Sequence, residues 1–243
     1  MTAPPAPAPQ RLHDRLALIT GAGRGIGRAV AVRFAQEGAH VILVSRTQGA
    51  LEETDDLVRA AGGEATLLVM DLADHEKIDQ MAAAIAERFQ KLDILVANAA
   101  ILGTLSPMSH TEPADFERVI KINLTANFRL IRAFDGMLRR SPAGRAIFVS
   151  SAAADGRHPY WGAYATSKGA LETMVMTWAG ELMKTNLKVN VINPGPTRTR
   201  MRGDAFPAEN VDELKPPEAT ADAFVELAEA SSTRHGELVT LGR

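Results

Sequence analysis

The sequence predicts a single α/β domain built on a doubly wound parallel sheet of about seven strands with helices on both faces. Short β-rich apolar runs alternate with longer stretches of helical period from Arg15 onward, the pattern of repeated βαβ units. The length of 243 residues permits one large domain at about 150 residues per domain. Neither an internal repeat nor a linker divides residues 15–243, so right-handed crossovers can wind that stretch around one sheet.

At the amino end, Pro4, Pro5, Pro7 and Pro9 remove backbone donors and favour an extended, solvated conformer. Residues 1–12 therefore read as a disordered Pro/Ala-rich tail and 13–243 as the domain. The first ten residues have neither the basic start and apolar run of a secretory signal nor the arginines of a mitochondrial presequence, so a cytoplasmic location is expected. Strands are expected at residues 16–20, 40–45, 65–70, 92–97, 146–150, 187–192 and 237–240, each buried on both faces. A helix over 25–36 follows the first strand. Residues 111–140 are long enough for two helices or one bent helix, with Thr111 as cap and Pro113 in the first turn. A further helix spans 161–184. Residues 194–216, polar and turn-rich, read as a cover over the substrate, in which Arg198, Arg200 and Arg202 alternate. A solvated loop is the simpler reading of those arginines; the sharper one has an arginine meeting an acidic substrate or a pyrophosphate.

Composition narrows the chemistry. Lys+Arg 27 against Asp+Glu 29 leaves a net charge of -2, which offers no broad cationic face to nucleic acid or an anionic membrane. With no cysteine, disulfides, thiolate nucleophiles and cysteine-ligated zinc are excluded. The six histidines show no paired metal-ligand spacing, so no metal site is expected, and His158 reads as a surface residue. No apolar stretch approaches the roughly 20 residues of a membrane helix.

The stretch Thr20-Gly21-Ala22-Gly23-Arg24-Gly25-Ile26-Gly27 follows the first strand and opens a helix, the context in which a glycine-rich motif binds a dinucleotide. Gly21 suits the positive φ of a tight turn, Gly25 lets backbone approach a pyrophosphate, and Gly27 lets helix and strand pack closely. Unpaired N–H groups at the helix start then face the phosphates. The second strand ends in Ser45-Arg46 where sites for a free ribose usually place a carboxylate. Arg24 and Arg46 together suit a 2′-phosphate, so NADP(H) is favoured, with NAD(H) as the alternative cofactor.

Tyr164 and Lys168 stand four residues apart and share one helix face. A tyrosine titrates near 10, and bringing it to about 7 takes roughly 4 kcal/mol of phenolate stabilisation. A neighbouring cation supplies part of that, and a phenol so tuned serves as general acid and base. Ser151, just past the strand at 146–150, lies at the same carboxyl edge as the glycine turn, where its hydroxyl can donate to a carbonyl oxygen gaining charge; Ser150 competes for that role.

Taken together, Thr20 to Gly27, Asn98, Asn123, Ser151, Tyr164, Lys168 and Pro194-Gly195 resemble the short-chain dehydrogenase/reductase family, in its compact single-domain branch with a Rossmann-type fold. The likeness runs from about residue 15 to 201. It implies that Tyr164 gives or takes the proton, that Lys168 lowers its pKa and holds the nicotinamide ribose, that Ser151 orients the carbonyl, and that Asn123 positions a water relaying protons through Lys168. It also implies that Asp71, with Leu72 beside it, contacts the adenine and that Asn98 and Ala99 lie near the cofactor. Pro194, Gly195 and Thr197 line the same site, and Thr199 meets the nicotinamide amide.

The chain departs from the family's pattern in two places. It has Ala97-Asn98-Ala99-Ala100 in place of Asn-Asn-Ala-Gly, and Leu241-Gly242-Arg243 in place of an Asp-Gly-Gly ending. Pairing through the helices of 111–140 and 161–184 resembles the family's subunit contact, so a homodimer or homotetramer is expected. The resulting expectation is an NADP(H)-preferring oxidoreductase interconverting a small-molecule carbonyl and alcohol. A non-catalytic dinucleotide sensor or scaffold, and a dehydratase or epimerase on the same fold, are the alternatives.

Overall fold

The computed structural model describes residues 10–242. Its strands are β1 (Leu16–Thr20), β2 (His40–Ser45), β3 (Ala65–Val69), β4 (Ile94–Ala97), β5 (Arg145–Val149), β6 (Lys188–Asn193) and β7 (Leu238–Thr240). They form one sheet in the order β3-β2-β1-β4-β5-β6-β7, parallel throughout. The winding reverses between β1 and β4, which opens a crevice beyond their carboxyl ends, the usual ligand position in a Rossmann-type sheet.

The helices are α1 (Gly25–Gln36), α2 (Gln48–Ala60), α3 (His75–Arg88), α4 (Pro113–Ile120), α5 (Ala126–Arg140), α6 (Gly162–Glu181), α7 (Arg200–Ala205) and α8 (Glu218–Ala228). Successive strand side chains point to opposite faces, and β1 shows the consequence. Ala17 and Ile19 pack with Val30 and Phe34 of α1 and Phe224 of α8. Leu16 and Leu18 pack on the other face with Phe134 of α5 and Leu171 and Val175 of α6. Phe34, Phe134, Phe148 and Phe224 are fully buried, each burial contributing roughly 1.5–3 kcal/mol.

Several expectations are corrected. The strands are not all buried on both faces: β3 is half-buried with Val69 exposed, and in β7 only Val239 is buried, because each edge strand has one sheet neighbour. Glu112, not Thr111, precedes the first turn of α4; the Thr111 hydroxyl instead meets Ser106 Oγ at 3.0 Å. A π-helical turn, Lys121–Thr125, joins α4 to α5, so the 111–140 region is one interrupted run. Residues 194–216 contain α7 rather than loop alone.

The tail assigned to 1–12 ends sooner than expected. Leu12 is fully buried and its N–H donates to the Glu37 carbonyl at 2.9 Å, while Arg11 Nε pairs with Glu229 at 2.7 Å; residues 1–9 lie outside the described residues. Apolar burial of Leu12 outweighs the solvated preference of the prolines before it. Among the described residues, no helix is long and apolar enough to cross a membrane.

Candidate active site

Three neighbouring strands build the site, β1, β4 and β5, with their carboxyl ends at one edge. After β1, Gly21 turns the chain at φ +67 and Gly25 at φ +55, conformations in which a Cβ is strained. Gly27 serves packing instead: a Cβ there would stand 2.4 Å from the Gly21 carbonyl oxygen and 2.6 Å from Asn98 Nδ2. Asn98 braces this turn, donating from Nδ2 to Thr20 O at 2.9 Å. The Asn98 and Ala99 N–H groups both donate to Thr20 Oγ1, at 3.0 and 3.1 Å. Ala100, in the family's glycine position, has no positive φ; Gly103 takes that conformation at φ +73, so the replacement carries no backbone strain.

The cradle fits a phosphate-bearing dinucleotide. The start of α1 has neither a side-chain cap nor an acidic first turn, leaving its N–H donors to an anion. Ile26 and Gly27 follow in that turn. Gly23 lies against the end of β2, where a Cβ would meet Ser45 Oγ at 3.1 Å. Arg24 and Arg46 are both exposed, and among the described residues neither has a carboxylate partner. Asp71 is exposed past β3 and accepts from the Ala73 N–H at 2.9 Å, next to buried Leu72. Thr199 approaches the same turn, its Cγ2 3.3 Å from a Cβ placed on Gly25. Pro194, Gly195 and Thr197 follow β6, where the Gly195 N–H donates to Asn193 Oδ1 at 3.0 Å and Thr197 Oγ1 donates to the Gly195 carbonyl at 3.1 Å.

On α6, Tyr164 and Lys168 do share a face, with Nζ 5.8 Å from the phenol ring centroid. Their side chains are 6% and 2% exposed overall, and burial sets both titrations. The phenol is pushed up to about 12 by burial, although the nearby Ser151 hydroxyl pulls the other way. The ammonium is lowered to about 8 by burial, against the opposing pull of Glu172. The expected lowering of Tyr164 toward 7 is thus reversed in this structure: desolvation dominates. Lys168 Nζ donates to the Val149 carbonyl at 2.6 Å, at the end of β5.

Ser150 and Ser151 separate clearly. Ser150 Oγ donates to Glu172 Oε1 at 2.5 Å, whereas Ser151 meets Tyr164 and accepts from the Ala153 N–H at 3.3 Å. Asn123, fully buried in the π-helical turn, exchanges hydrogen bonds with Ile101 at 2.9 Å each way. Its Nδ2 also donates to Ser167 Oγ at 3.0 Å, tying the segment after β4 to α6.

The cover contributes residues that the sequence reading passed over. Trp161, immediately before α6, meets Tyr164 edge-on at 5.8 Å and Phe206 at 5.5 Å. Its spacing of three from Tyr164 was the available signal; Phe206 and Glu172 offered none. Arg202 pairs with Glu209 and Arg200 stands 3.9 Å from Asp204. Neither of these two is the unpartnered cation of the sharper expectation. His158 is half-exposed and its ring meets Trp161 at 5.8 Å, tilted by 58°.

A model of the short chain dehydrogenase family matches residues 15–210. The chain belongs to this family. Among its short-chain dehydrogenase relatives, the oxidoreductase YciK of Escherichia coli (strain K12) is 39% identical over 214 residues, covering 87% of this chain and 84% of YciK. A short chain dehydrogenase from Salmonella enterica serovar Typhi superposes with a TM-score of 0.92 at 36% identity, covering 97% of this chain and 98% of the other. A short chain dehydrogenase from Escherichia coli CFT073, solved with NADPH, also gives 0.92 at 36% identity, with 96% and 99% covered. The present chain has its glycine turn and its Tyr164–Lys168 pair on one Rossmann-type sheet.

Proposed function

We propose that this short-chain dehydrogenase is an NADP(H)-preferring enzyme that interconverts a small-molecule carbonyl and its alcohol, with Tyr164 as general acid and base. The observation that carries this reading is a buried phenol beside Ser151 and one helical turn from the Lys168 ammonium, at the sheet edge that also bears the glycine turn. A structural relative solved with NADPH and the unpartnered Arg24 and Arg46 support the phosphorylated cofactor.

The glycine turn and α1 would hold the pyrophosphate, with Arg24, Ser45 and Arg46 at the 2′-phosphate and Asp71 and Leu72 near the adenine. Asn98, Ala99, Pro194, Gly195, Thr197 and Thr199 would flank the nicotinamide end. When bound, the dinucleotide supplies or accepts the hydride at nicotinamide C4. In reduction, Tyr164 donates its proton to the carbonyl oxygen while the Ser151 hydroxyl donates a second hydrogen bond to it. A phenol at about 12 is fully protonated at neutral pH and therefore loaded as donor. Lys168, at about 8, remains largely charged there and offsets the phenolate left behind. Asn123 holds the segment after β4 against α6 and keeps that proton path in register.

The test is a panel of carbonyl compounds followed by NADPH and NADH absorbance, with Tyr164→Phe beside the parent protein. NADPH consumption that falls at least about 100-fold in the variant is expected; equal turnover removes Tyr164 from the chemistry. A strong NADH preference defeats the arginine assignment, and product formed without net NADPH loss points to a dehydratase or epimerase. For the assembly, we place contact with a second copy on the apolar groove lined by Leu124, Phe128, Ala170 and Met174; Phe128→Asp should yield a monomer by sedimentation.

A further inference from the structure

Aromatic and apolar side chains, rather than polar ones, cover Tyr164. Trp161 and Phe206 stack at 37° between ring planes, and Leu102 and Met201 pack with them around Tyr164. The same surface continues outward. Met108, Tyr160 and Phe206 are exposed. Met108 Sδ lies 2.3 Å from where a Cβ on Gly162 would stand, and Ser106 bridges to Trp161. Tyr160 is held at φ 74 with its carbonyl accepting from the Ser106 N–H at 3.0 Å; such a conformation costs about 1–3 kcal/mol and persists where surroundings over-determine it. Clustered exposed apolar side chains mark a binding surface.

The arginine nearest this surface is already paired. Arg202 Nε and Nη2 donate to both carboxylate oxygens of Glu209, at 2.5 and 2.6 Å, and its guanidinium lies 3.8 Å over the Phe206 ring. An acidic substrate would have to break that bidentate pair to reach the arginine. The pair also clasps Phe206 against Trp161. Phe206 is the least buried ring of the three-membered stack, and with Tyr164 only 6% exposed an incoming carbonyl must displace part of the covering.

We propose that Trp161 is the platform of a substrate subsite for the uncharged, planar body of an aromatic carbonyl compound, which takes the place of Phe206 while Arg202 stays paired with Glu209. This rests on the reading of Tyr164 as proton donor to the carbonyl. A planar ring there retains the aromatic contact and the buried apolar area that Phe206 gives up, whereas a linear chain retains only area and a carboxylate meets Glu209.

The experiment compares 2-acetylnaphthalene, its 6-carboxylate and 2-dodecanone by NADPH consumption. Binding of 2-acetylnaphthalene is followed in parallel by calorimetry. For the parent protein, kcat/KM for 2-acetylnaphthalene should exceed the other two by about tenfold or more. Trp161→Leu should remove that advantage through KM and weaken binding similarly, with a distinctly smaller loss for 2-dodecanone. Trp161→Phe should keep the advantage, and Glu209→Gln should improve use of the carboxylate. Equal use of the carboxylate, or equal losses for both neutral ketones in Trp161→Leu, overturns the subsite even if Tyr164→Phe is inactive. Trp161-dependent binding without turnover keeps the subsite and defeats the proposed chemistry; neither binding nor turnover of 2-acetylnaphthalene overturns the subsite.

Discussion

Replacing Lys168 by methionine separates what the lysine costs from what it does. The fall of its pKa from 10.5 to about 8 corresponds to about 3 kcal/mol of folded-state destabilisation while the lysine carries its proton. Methionine removes that cost but leaves the Val149 carbonyl without the donor that stood 2.6 Å away, a loss of about 1–3 kcal/mol. At pH 7 the two nearly cancel, so Lys168→Met should be as stable as the parent or slightly more so. The pH dependence is the cleaner signal. The unfolded lysine keeps its proton to about 10.5 and the folded one releases it near 8, so between those values the unfolded state binds more protons and parent stability rises with pH. The variant lacks this gain. Its advantage over the parent should therefore shrink by about 2–3 kcal/mol between pH 7 and 10, or about 5–10 °C of relative melting temperature at this chain length. Tyr164, raised to about 12, acts in the opposite sense only above its unfolded value of 10, and stopping at pH 10 leaves it aside. Paired thermal unfolding at pH 7, 8, 9 and 10 is the assay. A difference between the proteins that does not change with pH would refute the claim that burial sets this titration.

Gly27→Ala places a methyl 2.4 Å from the Gly21 carbonyl oxygen. Overpacking of this kind costs about 1–3 kcal/mol, so melting should fall by several degrees and NADPH affinity, read by calorimetry, by tenfold or more; unchanged values would show that the turn yields freely. Arg24→Ala and Arg46→Ala each remove a charge-assisted contact worth about 1.5–3 kcal/mol, so KM for NADPH should rise about tenfold or more while KM for NADH stays level. Ser150→Ala, which strands Glu172, should lower melting with modest effect on kcat. Ser151→Ala should lower kcat at least tenfold with little change in melting, and the reverse pattern would exchange the two serines' roles.

The strand positions along the chain and the place of the site were legible because their signals are local. Short continuous apolar runs, a glycine turn between strand and helix, and a four-residue Tyr–Lys offset are each read within a dozen residues. Ser151 followed from lying at a strand end, and Asn98 from the family resemblance. Less visible was the cover, where Arg202 finds Glu209 across α7 and Phe206 reaches Trp161 from far along the chain. Leu12 likewise looked like tail, since nothing near it announces the Glu37 carbonyl that receives its N–H.

What the sequence alone determined is the set of groups and their order along the chain: a phenol, an ammonium and a hydroxyl placed at one edge of a parallel sheet. Only the tertiary structure decided their acidity. Desolvation depends on every element packed around Tyr164 and Lys168, and that sum drives the phenol up to about 12 and the ammonium down to about 8, where the offset of four residues by itself suggested a phenol made acidic by its neighbour.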